Sequence, residues 1–226
     1  MSLFKPKFIL IFKYLITTMI GSPMARRTKE EAAQTREALL TTAMQLYAEQ
    51  GIHAVSLKQI AAACEVTHGA LYWHFRNRDD LLQQLYLAAD KPYERQYIEQ
   101  RQSAKQDPLK ALHDYFVGVI NAYVNHTHFC QTYRLFLTRP RVPELANLAE
   151  QIDESHLNVV DQIHYFLKQA KKKKQLRKKI SIKPAAKVLA DVLDSLVQSI
   201  AFSSDEQRSS AEALLLIGIL MDGLGE

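Results

Sequence analysis

The segment from Ser56 to Arg78, SLKQIAAACEVTHGALYWHFRNR, constrains the fold more than any other part of the chain. Ser56 and Gln59 form a Ser-x-x-Gln capping box, which predicts the start of a helix. Apolar residues then recur at helical spacing along one face: Leu57, Ile60, Ala61 and Cys64. The pattern predicts a short helix that ends in a tight turn at Glu65 and Val66.

A second short helix follows this turn, with Thr67 as its N-cap. Leu71 and Phe75 are four residues apart and face the first helix. The opposite face carries Tyr72 and Trp73, two large aromatics that a folded protein rarely leaves in water without a partner. Packing of these rings on a neighbouring helix is the alternative. We favour a helix-turn-helix that binds DNA.

The residues around this second helix have the chemistry that DNA contacts require. Thr67 can donate to a phosphate, and Gly69 lets the backbone approach the duplex closely. Tyr72 can contact a phosphate with its hydroxyl or a thymine methyl with its ring. Arg76 and Arg78 add positive charge at the rim. Asn77, followed by two aspartates, predicts the N-cap of a third helix.

The sequence VTHGALYWHFRNRDDLL, preceded by SLKQIAAAC, resembles the helix-turn-helix of the TetR family of bacterial transcriptional regulators. Met24–Leu57 is similar to the start of the multidrug-efflux branch of that family. The likeness is strong to about Leu87 and only architectural beyond it. It implies an all-α homodimer that represses a promoter and leaves DNA when a small molecule binds.

The resemblance places the following residues at the usual DNA-contacting positions: Thr67, Gly69, Tyr72, Trp73, His74 and Arg78. We add further predicted contacts: Arg26, Arg27, Ser56, Lys58 and His68. Close relatives often have arginine where this chain has His68, and a neutral imidazole cannot form the bidentate guanine contact of arginine. The operator is therefore expected to differ. The two N-terminal arginines are either an arm for the minor groove or a solvated tail.

The 226-residue chain is 47% hydrophobic and 23% charged, enough for one DNA-binding module and a larger helical domain. Its net charge is +5, which is consistent with a polyanionic partner. Cys64 and Cys130 are too few for a disulfide framework. Buried thiols in a reducing cytoplasm are the favoured interpretation, and redox sensing is the alternative. We therefore expect a cytoplasmic protein.

Three segments are predicted. In residues 1–23, Lys5 and Lys7 precede a short apolar run, interrupted by Lys13, that imitates a signal peptide but is too short to span a membrane. We interpret them as an extension upstream of Met24 that is non-native or disordered, with a membrane tether as the minor alternative. Residues 24–78 form the helix-turn-helix domain. Residues 79–226 form a ligand-binding and dimerisation domain.

The second domain is predicted to consist of helices with recognisable boundaries. Pro92 predicts a break near Asp90 in the helix that follows the DNA-binding module. Asp107 and Pro108 predict the next helix start. A short helix is expected over Phe129–Leu137 and a long one over Glu144–Lys174. The lysine and arginine run from Lys171 to Lys179 is interpreted as a solvated helix end and loop.

Aromatic residues are frequent in this domain and suit an apolar cavity for a small hydrophobic or cationic ligand. Asp194 is notable because it lies on an otherwise apolar helix, where a carboxylate is costly unless paired or exposed. Ordinary core packing is the alternative for each aromatic. The predicted ligand-contacting residues are Phe116, Tyr133, Phe136, Leu137, Phe166, Asp194 and Val197.

The last two helices have apolar stripes wider than a surface helix needs. One face can pack inside the subunit and the other against a second copy, which fits the dimer that the resemblance implies. A two-fold dimer would place two recognition helices in successive major grooves of a palindromic operator. The predicted interface residues are Val188, Val192, Leu196, Leu215, Gly218 and Ile219.

The sequence contains no Gly-rich phosphate loop, metal-spaced Cys/His cluster or nucleophile elbow. We therefore predict no enzyme activity, no cofactor and no metal site, and interpret His126 and His128 as surface residues. Two alternatives to an efflux repressor stay open. One is a ligand-sensing helical module without DNA binding, and the other is a TetR-type regulator of metabolism.

Overall fold

The computed structural model describes residues 29–89, 92–137, 143–203 and 206–225. These residues form helices joined by short turns, with one isolated β-bridge between Leu176 and Gly225. The predicted all-α fold is confirmed. The predicted extension at residues 1–23, together with Arg26 and Arg27, lies outside the described residues. In the part of the chain that the structure describes, no helix is both long and apolar enough to cross a membrane.

The described residues form ten α-helices, which in chain order are α1 (Lys29–Gln50), α2 (Leu57–Ala63), α3 (His68–His74), α4 (Arg78–Ala88), α5 (Pro92–Gln100), α6 (Pro108–Asn125), α7 (Thr127–Thr132), α8 (Ala149–Lys172), α9 (Ile182–Phe202) and α10 (Glu206–Leu224). Two 3₁₀ segments, Ser103–Lys105 and Pro143–Leu148, and a π-helical segment, Tyr133–Leu137, separate some of them. The chain divides into two compact units between Ala38 and Leu39. In the first unit the structure describes residues 29–38, which form the start of α1. The two hydrophobic cores and the cavity lie in the second unit.

Side-chain caps fix where the helices of the DNA-binding module begin. The Ser56 Oγ accepts from the Gln59 amide, and the Gln59 side chain accepts from the Ser56 amide at 2.8 Å, which completes the predicted capping box. Thr67 accepts from the Ala70 amide at the start of α3. Asn77 caps α4 in the same way. The predicted helix starts are confirmed at these positions because each cap satisfies an amide that the helix leaves unpaired.

The first hydrophobic core belongs to the DNA-binding module but also includes residues from later in the chain. Side chains of α1 from Leu39 onward, α2, α3 and α4 pack around buried Ile60, Leu71 and Phe75. Side chains from the π-helical segment, the second 3₁₀ segment and the start of α8 join them: Leu135, Phe136, Leu145, Leu148 and Ile152. The core of the module therefore includes residues beyond residue 78, where the helix-turn-helix domain is predicted to end. That domain boundary stays a prediction.

The second hydrophobic core is built around α6, with α7, α8, α9 and α10 packed about it. Phe116 and Phe166 are fully buried there, as are Leu193 and Val197 on α9. Two ring contacts connect α6, α8 and α5: Tyr115 with Phe166 and Tyr97 with Phe166. This core positions the helices that surround the cavity described below.

α4 ends at Ala88 and α5 begins at Pro92, so the helix is interrupted where Pro92 predicts a break. Two other predicted boundaries differ in the structure. The long helix predicted from Glu144 begins instead at Ala149, because Leu145 and Leu148 take 3₁₀ geometry and turn to the same side into the first core. The short helix predicted to end at Leu137 is α-helical only to Thr132 and π-helical after it.

Candidate DNA-binding helix and ligand cavity

α3 has one buried and one exposed face. Leu71 and Phe75 are fully buried in the first core. Tyr72 is 47% exposed and Trp73 74% exposed, so the predicted division of the helix into an inward and an outward face is confirmed. Two aromatic side chains this accessible on a seven-residue helix form a surface that no other part of the described chain covers.

Neighbouring histidines order this exposed face. The rings of His68 and Tyr72 meet edge to face with centroids 4.7 Å apart, and Trp73 and His74 do the same at 4.7 Å. Such edge-to-face pairs favour one arrangement of each ring. The outward face of α3 is therefore partly preorganised before a partner arrives.

Thr67 and Gly69 each have a feature that packing within the protein does not explain. The Thr67 hydroxyl oxygen accepts from the Ala70 amide at 3.1 Å, which leaves its hydrogen available for a phosphate. A methyl group added at Gly69 would meet nothing within 4 Å, so internal packing does not require glycine there. Contacts of Thr67 and Gly69 with DNA remain a prediction with which both features are consistent.

Three other predicted DNA contacts differ in what they do inside the protein. Arg78 is half-buried, and its Nη2 donates to the Val55 carbonyl at 2.9 Å, so it ties α4 to the loop before α2. Ser56 is half-buried and occupied by the capping box. Lys58 is exposed on α2. Arg78 and Ser56 thus have structural roles in the module, and contacts with DNA remain a prediction for all three.

A cavity of about 490 Å³ lies in the second unit, between the helices that follow the DNA-binding module. Its volume fits a single drug-sized molecule. The wall combines aromatic, polar and acidic side chains from α4, α5, α6, α7, α8 and α9, and it consists of Tyr86, Ala89, Pro92, Tyr93, Glu94, Tyr97, Ile98, Tyr123, Phe129, Thr132, Leu137, Ile152, Ser155, His156, Asn158, Val159, Asp161, Gln162, Ala190 and Asp194.

The wall of the cavity is acidic. It carries three carboxylates, Glu94, Asp161 and Asp194, and no lysine or arginine among the described residues that line it. Among the aromatic rings of the wall, Phe129 and Tyr97 already lie under the guanidinium groups of Arg95 and Arg101, at 5.6 and 5.9 Å from the ring centroids. Tyr93 and Tyr123 line the same wall. Acidic groups beside aromatic faces attract an organic cation by charge and by cation–π interaction.

Asp194 is held in place by hydrogen bonding. The Tyr133 hydroxyl donates to Asp194 Oδ1 at 3.0 Å. Burial raises the pKa of Tyr93 well above its usual value, and the nearby Tyr123 and Asp194 raise it further. Burial likewise raises the pKa of Tyr123. Tyr93 and Tyr123 are therefore neutral hydrogen-bonding groups at physiological pH.

The predicted ligand contacts divide into two groups. Leu137 and Asp194 line the cavity. The structure does not place the other five on the wall, because their side chains fill the two cores: Phe116, Tyr133, Phe136, Phe166 and Val197. Sequence reasoning missed Tyr93 and Tyr97 of α5, although their spacing of four residues directly after Pro92 indicates one helix face.

Tyr86 connects the cavity with the DNA-binding module. It lines the cavity and is also part of the first core, where its ring packs edge to face on Phe136 at 5.5 Å. Its hydroxyl donates to the Gln151 carbonyl at 3.1 Å and lies 2.6 Å from the Ser155 Oγ. Ile152 likewise belongs to both the wall and the first core.

The predicted dimer face is apolar and accessible in the single chain. Val188, Leu215 and Ile219 are 59%, 67% and 58% exposed. Val192, Leu196 and Gly218 are half-buried. Further exposed apolar side chains on the same two helices were not predicted: Phe202, Leu214 and Leu216. A row of this kind along α9 and α10 is what a helical dimer interface presents before it is covered.

An exposed reading face on the second helix of a capped helix-turn-helix, joined to a ligand-sized cavity, defines a DNA-binding regulator. Residues 39–85 match the family described as "Bacterial regulatory proteins, tetR family". The repressor BepR of Brucella suis biovar 1 (strain 1330) is 30% identical over 165 residues, 73% of this chain and 79% of BepR. The chain belongs to the TetR family, as its sequence resemblance predicted.

Two further likenesses extend over most of the chain. The regulator AcrR of Shigella flexneri is 27% identical over 200 residues, covering 88% of this chain and 93% of AcrR. The crystal structure of NalD, the secondary repressor of the MexAB-OprM multidrug efflux pump in Pseudomonas aeruginosa, superimposes with a TM-score of 0.73 at 24% identity. It covers 88% of this chain and 99% of NalD, so the fold is shared along nearly the whole length.

Proposed function

We propose that this regulator is a dimeric repressor of an efflux operon, and that an aromatic organic cation releases it from a palindromic operator. Repression and the efflux operon are supported by the likeness to BepR, a transcriptional repressor, and to NalD, a repressor of an efflux pump. The class of inducer is supported by the wall of the cavity, with its acidic groups and aromatic rings.

The observation that carries the mechanism is the double role of Tyr86. A ligand in the cavity touches a side chain that also packs in the core of the DNA-binding module. The ligand therefore favours the arrangement of α4 that leaves most room for it, and α4 follows directly on the reading helix α3. Release follows if that arrangement binds the operator less well than the unliganded one.

The DNA contacts proposed for α3 are Thr67, Gly69, Tyr72, Trp73 and His74, with His68 as the residue that sets the operator apart from those of relatives. Lys58 and Arg78 add charge at the rim. The dimer pairs α9 and α10 with the same helices of a second copy, so that two copies of α3 reach one palindrome.

The test begins with the full chain and genomic DNA from its host. Fragments that the purified protein retains are sequenced to define the operator, and binding to a labelled operator duplex is followed by fluorescence anisotropy. Rhodamine 6G, a planar cation, should release the duplex, and fluorescein, an anion of similar size and shape, should not. Enrichment of no sequence, or release by the anion alone, would contradict the proposal.

A further inference from the structure

The positive charge of this protein is concentrated on one surface at the α8–α9 turn. No aspartate or glutamate occurs between residues 162 and 190. The rest of the chain has 19 lysines and arginines against 24 acidic residues, a net charge of −5, although the whole chain carries +5. We call the following ten side chains the basic surface: Lys168, Lys171, Lys172, Lys173, Lys174, Arg177, Lys178, Lys179, Lys183 and Lys187.

All ten side chains are exposed, and the turn that carries them is fixed. Leu176 is buried and forms a β-bridge with Gly225. The Arg177 amide donates to the Leu224 carbonyl at 3.0 Å, and its guanidinium donates to the Gly225 and Asp222 carbonyls. The nine lysines thus project from a well-defined backbone and not from a loose tail.

Helix electrostatics accounts for only part of this charge. Lys171 and Lys172 are in the last turn of α8, where the helix dipole favours cations. Lys183 and Lys187 are in the first two turns of α9, where the dipole disfavours them. Lys174 has φ 57°, a left-handed conformation that glycine usually takes at a helix end. The cluster is therefore denser than the local structure requires.

The basic surface is separate from the DNA-binding module. Ile152, near the start of α8, packs in the core of that module, and Lys172 ends the same helix. Twenty residues of α-helix span about 30 Å at about 1.5 Å per residue. A ligand of the basic surface consequently lies at the opposite end of α8 from the contacts between α8 and the module.

The chemistry of the surface indicates its partner. Residues 168–187 contain no aromatic residue that could stack on an unpaired base. Their larger apolar side chains are turned inward, with Leu176 buried and Ile180 and Ile182 half-buried against the second core. Nothing is therefore available for insertion into lipid. A cluster of exposed lysines without aromatic side chains fits the phosphates of duplex DNA, a polyanion of high charge density.

We propose that the basic surface binds a second DNA duplex without sequence preference, so that one regulator bridges two DNA segments. The experiment uses the full chain and two variants of it. In one variant glutamine replaces Lys171, Lys172, Lys178 and Lys179, and in the other arginine replaces the same four lysines. The arginine variant keeps the charge and is the matched control. Each protein is loaded on an immobilised 40-base-pair duplex of arbitrary sequence, and capture of a second, fluorescent duplex is measured.

The wild-type chain and the arginine variant should capture the second duplex, and the glutamine variant should capture at least tenfold less. The salt dependence of DNA affinity should also fall, with the slope of log K against log salt smaller by up to about 3.6 for four lost phosphate contacts. Bridging through the two copies of α3 in a dimer would not depend on these lysines. If the protein did not bind an operator through α3, the capture of a duplex would still depend on these lysines. The two proposals can therefore be refuted separately.

Equal capture by the glutamine variant would overturn the proposal. A second measurement addresses the other polyanion, with vesicles that contain phosphatidylserine. If the glutamine variant loses co-sedimentation with these vesicles while duplex capture is the same for all three proteins, the surface binds membrane and the DNA proposal is wrong.

Discussion

Tyr133 donates its hydroxyl hydrogen to Asp194 Oδ1 across 3.0 Å, from a ring that is itself fully buried. The contact joins the π-helical segment to α9 and fixes the direction of the carboxylate that lines the cavity. Tyr133 thus orients the Asp194 carboxylate, which we propose as the anchor for a ligand.

Replacement of Asp194 by asparagine should weaken the binding of organic cations. The side chain keeps its size and can still accept from Tyr133, so the change removes charge alone. We expect rhodamine 6G to bind about tenfold more weakly, which corresponds to about 1.4 kcal/mol, and a neutral ligand to bind unchanged. Calorimetric titration measures both. Asp222→Asn, an exposed carboxylate away from the cavity, is the control; equal losses in both variants would remove Asp194 from the site.

Replacement of Tyr86 by phenylalanine should reduce the coupling between cavity and operator. The variant keeps the ring against Phe136 and loses the hydroxyl contacts with α8, at a cost of about 1 kcal/mol in the free energy of unfolding. The ratio of operator affinities without and with rhodamine 6G is measured by anisotropy, and it should shrink. Tyr165→Phe removes a hydroxyl contact with the Arg101 carbonyl, outside both the first core and the wall of the cavity, and should leave the ratio unchanged. The same ratio in wild type and Tyr86→Phe would refute the coupling.

Replacement of Gly69 by alanine should separate folding from DNA binding. The added methyl meets nothing within 4 Å in the protein, and alanine favours the helix by roughly 1 kcal/mol. The melting temperature should therefore hold or rise, while operator affinity falls at least tenfold. Gly223→Ala is the matched control, since its methyl also meets nothing and it lies in α10 away from α3. Unchanged operator affinity in Gly69→Ala would show that DNA does not approach this point.

Replacement of Leu215 by glutamate should produce monomers. A charge at the centre of an apolar interface is left without a partner when the interface closes. Sedimentation equilibrium should give half the mass of the wild-type protein, with weaker operator binding because a lone helix-turn-helix reads half a palindrome. Leu157→Glu, at a leucine of similar exposure on α8, should stay dimeric. A dimeric Leu215→Glu protein would move the interface elsewhere.

Alkaline pH should destabilise the protein through its buried tyrosines. Burial raises the pKa of Tyr93, Tyr115 and Tyr123 above the usual 10.0, so the folded state keeps these protons after the unfolded state has lost them. Stability is unaffected by them below pH 10 and falls as pH rises above it, by up to about 1.4 kcal/mol per pH unit for each tyrosine. Urea unfolding at pH 9 to 11 measures the slope, and Tyr115→Phe should make it shallower. An identical slope would contradict this origin.

The DNA-binding module was predictable from sequence because its determinants are local. Ser56, Thr67 and Asn77 cap helices through bonds that reach three residues along the chain. The inward face of α3 follows from the spacing of Leu71 and Phe75. Arg78 differs because its partner, the Val55 carbonyl, is 23 residues away. Its structural role was therefore not visible in the sequence.

The ligand cavity was predictable in kind but not in its residues. Phe116 and Phe166 have the same chemistry as the rings of the wall, and only long-range packing decides which aromatics fill a core and which border a space. Asp194 was predictable because a carboxylate on an apolar helix needs a reason to be there. The 3₁₀ turn at Leu145 and Leu148 was missed because the first core that holds these leucines is assembled from distant segments.

The shared position of Tyr86 and Ile152 limits how this regulator can evolve. A substitution at either side chain changes both the shape of the cavity and the packing of the DNA-binding module. A better fit to a new ligand is therefore accompanied by poorer packing of that module. Tyr97 and Ile98 line the cavity without belonging to the first core. New inducer specificities should therefore arise by substitutions on α5, where the cavity can change shape while the set of regulated promoters stays the same.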